Sequence, residues 1–431
     1  MLRILILLIS FFSFHNAATA ALTIEITKGI DEALPIAVVP FGWTESSSLP
    51  QDIASIVAAD LYRTGRFNPL PRKNMLATPS NVSDVNYQNW RVLDIPYVVI
   101  GSVVRQSNTQ FVIKFRLIDV YREKQLAGFQ YSASDKRMRK VAHEISDVIY
   151  EELTGEPGAF NTRIAYVQVL PASVKKRYRL TIADSDKENA MGILASRNPI
   201  MSPTWSPDNK KMAYVHLLPT GSRINIYDFE RISNETVAKF EGINSAPTWS
   251  PDSKKLAMTL SRDGNAEIYI MDLSSRKLTR LTNRWAIDTE AAWAPDGKTL
   301  IYTSERGGTA QLYQYTFATK KVKRLTFEGK QNFRASFAPS GKMITFVHLT
   351  MESKYQIAVM ELESGNMRIL TESSLDESPS FAPNGSMIIY STIYQGRGAL
   401  SAVSFDGRVH NRFPIDGNSA EREPAWSSFL K

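Results

Sequence analysis

Cysteine is absent from all 431 residues. That excludes disulfides, thiolate nucleophiles and Cys-type zinc sites. After the first twenty residues no stretch approaches the roughly 18 to 20 apolar residues that a membrane helix needs, so no transmembrane segment is expected in the mature chain. Histidine is scarce: His143, His216, His348 and His410 follow residue 20 and none has i, i+4 spacing, so they read as structural or surface groups and no metal site is expected. No Gly-x-Ser-x-Gly elbow and no Walker or dinucleotide glycine motif occurs, which leaves the usual hydrolase and nucleotide chemistries without their residues. No catalytic residue and no cofactor is expected.

The first twenty residues stand apart. Arg3 precedes an apolar run from Ile4 to Phe14, and Ala18-Thr19-Ala20 supplies a small-x-small pattern. This is the form of a secretory signal peptide, so residues 1–20 are set aside and the mature chain is expected to begin near Ala21. Without Arg3 the chain keeps 50 Lys+Arg against 43 Asp+Glu, a net charge of +7. The cations are dispersed in pairs such as Lys254-Lys255, with no basic run or arm. That argues for a solvated surface and against nucleic acid.

A repeat organises the second half. TWSPDNKKMAYV begins at Thr204, TWSPDSKKLAMT at Thr248, AWAPDGKTLIYT at Ala292, SFAPSGKMITFV at Ser336 and SFAPNGSMIIYS at Ser380. The aromatic falls at 205, 249, 293, 337 and 381, a constant step of 44, and AWSSFLK places Trp426 one step of 45 further on. A period of 40 to 50 residues marks a propeller or a solenoid. The interior decides for β. Pro-Asp/Ser/Asn followed by Gly, Asn or Ser is turn chemistry, and alternating strands follow, such as Thr299-Leu300-Ile301-Tyr302. Four short strands per repeat make one propeller blade.

The sixth aromatic lies only five residues from the end of the chain, too late for a blade of its own. The missing strands are found upstream, where Arg163–Val167 resembles Lys211–Val215 and Arg177–Ile182 resembles a third strand. The reading is a composite blade that joins the C-terminal strand to residues 163–198 and closes the ring, removing open sheet edges. The recurring aromatics are expected to fill the contacts between blades.

Residues 21 to 160 differ. A buried strand at Leu34–Pro40, an amphipathic helix from Asp52 to Arg66, a second buried strand at Ile95–Gly101, an alternating strand at Phe111–Leu117 and a helix from Lys140 to Leu153 predict a small α/β sandwich. Gly155-Glu156-Pro157-Gly158 marks the linker. The fold class is therefore an α/β N-terminal domain over 21–160, followed over 161–431 by an all-β six-bladed propeller closed by a composite N/C-terminal blade.

Taken in order, the leader, PIAVVPF, ADLYRTGRFNPL, EELTGEPGAFNTRIAYV and the six TWSPDGKKLAY-type repeats resemble the TolB family. These are periplasmic components of the Tol–Pal cell-envelope system. The resemblance implies a non-enzymatic adaptor whose propeller binds the Pal lipoprotein and whose mature N-terminus binds the C-terminal domain of TolA. It also implies support of outer-membrane integrity and cell division, and exploitation by some colicins and phages. Two stretches depart from the family pattern. The rim histidine of the second blade is replaced within Gly242-Ile243-Asn244-Ser245, and Asn332-Phe333-Arg334 stands where smaller or acidic residues would be unsurprising.

In a propeller, the connection into each inner strand lies at the mouth of the channel. Here those segments are 200–202, 244–246, 288–290, 332–334, 376–378 and 421–423. Six acids against Arg334 and Arg422 make this rim −4 on a chain of +7. Either the reversal steers a complementary partner, or turn acids have simply gathered in loops. On the resemblance, the Pal-binding rim is assigned to Met201, Ser202, Ser245, Ala246, Thr289, Glu290, Asn332, Arg334, Glu377, Ser378, Arg422 and Glu423. The TolA segment is Ala21–Thr27, where Leu22, Ile24 and Ile26 alternate with polar residues. Such a strand either adds to a partner's sheet edge or pairs within its own domain. Residue types alone also leave open a glycan- or peptide-binding propeller, or a propeller hydrolase with paired carboxylates. The sialidase-type box, however, places its Trp after the Asp turn, whereas here the Trp precedes it.

Overall fold

The computed structural model describes residues 33–46, 48–175 and 177–430, and the backbone of 23–26. The N-terminal part is a mixed five-stranded sheet in the order 67–69, 34–38, 97–105, 110–119, 124–134, parallel in its first two pairings and antiparallel after them. Alternation sorts its side chains. Ile36 and Val38 face helices α1 (Ile53–Arg63) and α3 (Met138–Thr154), while Ala37 and Val39 join Trp90 of the short helix α2 (Tyr87–Arg91) on the other side. Asp52 caps α1 by accepting the Ser55 N–H at 3.0 Å. Gly155 ends α3 in the left-handed conformation at φ 74°, as its place after the helical pattern predicts. The strand Lys124–Ser134 is absent from the sequence expectation because its outer face is largely exposed and carries weak apolar alternation.

The second part is the six-bladed propeller. Blades one to five each contain four antiparallel strands in chain order, with inner strands at 200–205, 244–249, 288–293, 331–337 and 377–381. The sixth is composite. Ala420–Trp426 pairs with Arg163–Val169, and Tyr178–Asp184 and Met191–Ser196 complete it. Each turn after the aromatic carries a positive φ at its third residue: Asn209, Ser253, Gly297, Gly341 and Gly385. Four of the five are Gly or Asn, the types that tolerate it, and Ser253 is the exception. Six apolar clusters each draw on two neighbouring blades. Two of the indole N–H groups tie blades directly: Trp205 donates to Ala425 O and Trp249 to Thr204 O, both at 3.1 Å. The aromatics are inter-blade packing, as their periodicity implies.

The N-terminal domain docks on the face that carries these turns. Asn384 Nδ2 donates to Pro157 O at 3.0 Å, Arg63 Nη2 to Ser185 Oγ at 3.0 Å, and Asn411 Nδ2 to Arg63 O at 2.8 Å. The opposite face, where the inner strands begin, is left free of it. Thr23–Ile26 adds antiparallel to the outer strand Val409–Arg412 of the fifth blade. The alternative of pairing within its own domain is thereby corrected: its ladder partner is the propeller. No helix among the described residues is long and apolar enough to cross a membrane.

Candidate functional site

The inner strands share one irregularity. Their register slips just after Met201, Ser245, Thr289, Phe333, Glu377 and Arg422. At each slip one non-glycine residue turns left-handed: Ser202, Ala246, Glu290, Arg334, Ser378 and Glu423, with φ between 45° and 59°. That conformation costs roughly 1–2 kcal/mol for an L-residue, and bulges commonly serve to re-aim a side chain. In blades one to five the bulged residue lines the channel. Ser202, Ala246, Glu290, Arg334 and Ser378 line a central cavity of about 600 Å³ together with the aromatic ring.

Charge in this ring is concentrated in three residues. Arg334 Nη2 donates to Glu423 Oε2 at 2.6 Å, and the Ser202 N–H donates to the same oxygen at 2.6 Å. Glu290 Oε2 accepts from Thr303 Oγ1 at 3.2 Å. Burial raises the Glu290 carboxyl above its ordinary value, against the pull of Arg334. Burial acts upward on Glu423 too, but the adjacent Arg334 outweighs it and the net shift is downward. Two carboxylates thus share one guanidinium, and Glu290 is the less well satisfied.

The residues preceding the bulge have a different task. The rim segments are strands, not loops, and Asn244, Asp288, Asn332, Asp376 and Glu421 are fully buried. Asp288 pairs with Arg306 at 2.8 Å and Glu421 with Lys187 at 2.6 Å. Asn332 donates to Gln311 Oε1 at 2.9 Å and meets His348 Nδ1 at 2.8 Å. Asn332 therefore has no side-chain surface for a partner. The acid count of the rim does not become a solvent-facing field, because these acids were placed to satisfy buried polar groups. Met201, Glu377 and Arg422 are exposed beside the mouth, while Ser245 and Thr289 are half-buried there. The ladder partners of Ile24 and Ile26 are Asn411 and Val409, and Leu22 lies outside the described residues.

A second feature of this face was missed. Trp285 is 79 % exposed and Phe327 71 %, with Ile243, Ile287 and Met351 also exposed. All lie in connections on the face where inner strands begin, across blades two to four. Large apolar residues gathered on one face mark an interaction site more often than scattered ones do. The signal was legible as large apolar residues in otherwise polar connections, for example Arg284-Trp285-Ala286-Ile287.

Comparison with known proteins agrees with both halves of the fold. Residues 22–126 match the TolB amino-terminal domain, and residues 150–430 match the TolB beta propeller domain. The chain belongs to the TolB family. A Tol-Pal system protein TolB from Nitrosococcus oceani is 55% identical over 99% of this chain and 97% of its own length. One from Pseudomonas putida is 53% identical over 94% of each. The crystal structure of TolB from Acinetobacter baumannii superposes with a TM-score of 0.86 at 42% identity, covering 95% of this chain and 100% of that one. Family membership places the chain in the Tol–Pal system of the cell envelope.

Proposed function

We propose that this chain is a non-enzymatic periplasmic adaptor that binds Pal on the propeller face opposite the N-terminal domain and TolA through its mature N-terminus. The observation that carries the reading is the coincidence, on that one free face, of the ring of bulged residues and the exposed apolar collar. Bulged, strained positions persist where the surrounding structure holds them for a purpose. An apolar collar around a partly polar pit has the anatomy of a protein interface. Met201, Ser202, Ser245, Ala246, Thr289, Glu290, Arg334, Glu377, Ser378, Arg422 and Glu423 form the mouth and wall of the pit.

The TolA segment would act by strand addition. It occupies the outer edge of the fifth blade, whose inner strand carries Glu377 and Ser378. Filling of the rim by Pal is therefore proposed to release the segment, and equal TolA affinity with and without Pal would remove that coupling. The adaptor reading itself is tested by calorimetry of the mature chain with Pal and with Glu377→Lys. Pal binding that weakens while the melting temperature holds supports the rim assignment, and unchanged binding argues against it. A pull-down that recovers glycan and no envelope protein would favour a glycan-binding propeller instead.

A further inference from the structure

Away from the channel, a cluster of charged side chains is buried where the N-terminal domain meets the sixth blade. Helix α1 contributes Asp60 and Arg63, helix α3 contributes Arg139, His143 and Asp147, and the turn after Asp184 contributes Asp186. Asp60 and His143 have almost no exposure. His143 Nδ1 lies 2.7 Å from Asp60 Oδ2, and its Nε2 faces Asp186 Oδ2 at 3.7 Å. Arg63 reaches Asp60 at 2.9 Å and Asp186 at 3.7 Å. Arg139 pairs with Asp186 and stands 3.9 Å from Asp184. Asp147 accepts the N–H groups of Phe160 and Asn161 at 2.8 and 3.1 Å, pinning the linker to α3.

The ligand atoms of Asp60, His143 and Asp186 lie within 4.8 Å of one another, a spacing a metal ion could use. Two guanidiniums already sit on these carboxylates, so the cationic role is taken and a divalent ion would be repelled. The cation suited to the remaining gap is a proton. Neutral imidazole has one N–H. Donated from Nδ1 to Asp60, it leaves a buried Nε2 lone pair facing the Asp186 carboxylate, and Nε2 has no hydrogen-bond partner among the described residues. Imidazolium presents an N–H to both acids, one on the N-terminal domain and one on the propeller. With Asp147 neutral, it also balances Asp60, Asp184 and Asp186 against Arg63, Arg139 and His143.

We propose that this cluster is a proton-operated clasp, in which protonation of His143 binds the N-terminal domain to the sixth blade and deprotonation loosens it. Burial pushes the His143 imidazole down, but the charge and hydrogen bond of Asp60 outweigh it and the net shift is upward. Burial pushes Asp147 up to about 7, against the pull of its two backbone donors. Asp60 lies on the same domain as His143, so the part of the upward pull that depends on docking is the charge of Asp186 on the propeller. Because Asp186 favours the charged imidazole, its contribution strengthens docking as pH falls and is lost as pH rises through the raised docked value of His143. Asp186, held below the ordinary carboxylate range despite its burial by Arg63, His143 and Arg139, titrates outside this window.

Because the chain has no cysteine, introduced cysteines can be labelled singly and cleanly. Spin labels on Lys124→Cys and Lys323→Cys in the full mature chain report the spacing of domain and propeller. The distance distribution should narrow from about pH 8 to about pH 5.5, and His143→Gln should keep the broad distribution at both. Equal widths at both pH values, or the same narrowing in His143→Gln, would overturn the clasp. The imidazole resonance of His143 gives an independent reading. Its titration midpoint should fall when Asp186→Asn removes the propeller's carboxylate, and an equal midpoint in Asp186→Asn would overturn the proposal.

Discussion

Arg334 of the fourth blade and Glu423 of the sixth meet across the propeller channel at 2.6 Å. Neither is near the other in sequence, and each stands on a left-handed bulge of its own inner strand. Together they brace the ring from within. Arg334→Met removes the cation and leaves a largely buried carboxylate beside Glu290. Urea unfolding should show a loss of about 2 kcal/mol, moderated by the exposure of Arg334 to the channel. The double variant Arg334→Met/Glu423→Gln should recover part of it, since neither charge is then stranded. Equal losses in the single and double variants would mean that the pair contributes packing and not charge.

Glu290 makes stability depend on pH with a definite sign. Its carboxyl is raised chiefly by burial, so the folded state holds this proton more tightly than the unfolded chain does. Ionised Glu290 therefore costs stability at neutral pH, and the cost is relieved as pH falls through its folded value toward about 4.5. Glu290→Gln should flatten that part of the profile and should not destabilise the protein at neutral pH. Denaturant midpoints at several pH values measure it.

The apolar collar is expected to act in binding and not in folding. Trp285→Ala and Phe327→Ala remove side chains that touch mostly solvent, so melting temperatures should stay within a degree or two. Affinity for Pal should drop roughly tenfold or more for each, the scale of an interface hot spot. Calorimetry separates the two effects. Unchanged affinity would move the contact away from blades two to four.

Closure of the ring depends on its last strand. Deleting residues 424–431 removes the inner strand's second half and the contacts of Ser428 and Phe429 with Asn209. Sixth-blade edges then open on both sides, and the six inter-blade clusters lose their circular support. The whole propeller should unfold together, seen as loss of the cooperative thermal transition and rapid proteolysis in every blade. Fraying confined to residues 163–198 would show that closure contributes little.

Much of this architecture follows from local chemistry. The step of 44, the Pro-Asp-Gly turns and the late sixth aromatic required six blades and a composite closure. The N-terminal helices and buried strands followed from their apolar period. What local reasoning misjudged was the rim. Segments such as Asp288-Thr289-Glu290 read as acidic loops, yet they are strands in which successive residues face a buried ion pair, the mouth and the channel.

The sequence by itself determined the number of blades, the turn types and the way the chain closes on itself, because each depends on residues within one repeat or on the repeat count. Only the tertiary structure decided which acids are exposed, where the bulges aim Glu290 and Arg334, and that His143 sits between two carboxylates from different parts of the chain. Those outcomes depend on register and on partners far away in sequence, such as Lys187 for Glu421 and Asp186 for His143. A bulge exists only relative to the strand it pairs with, and a charge is buried or steering only relative to what covers it.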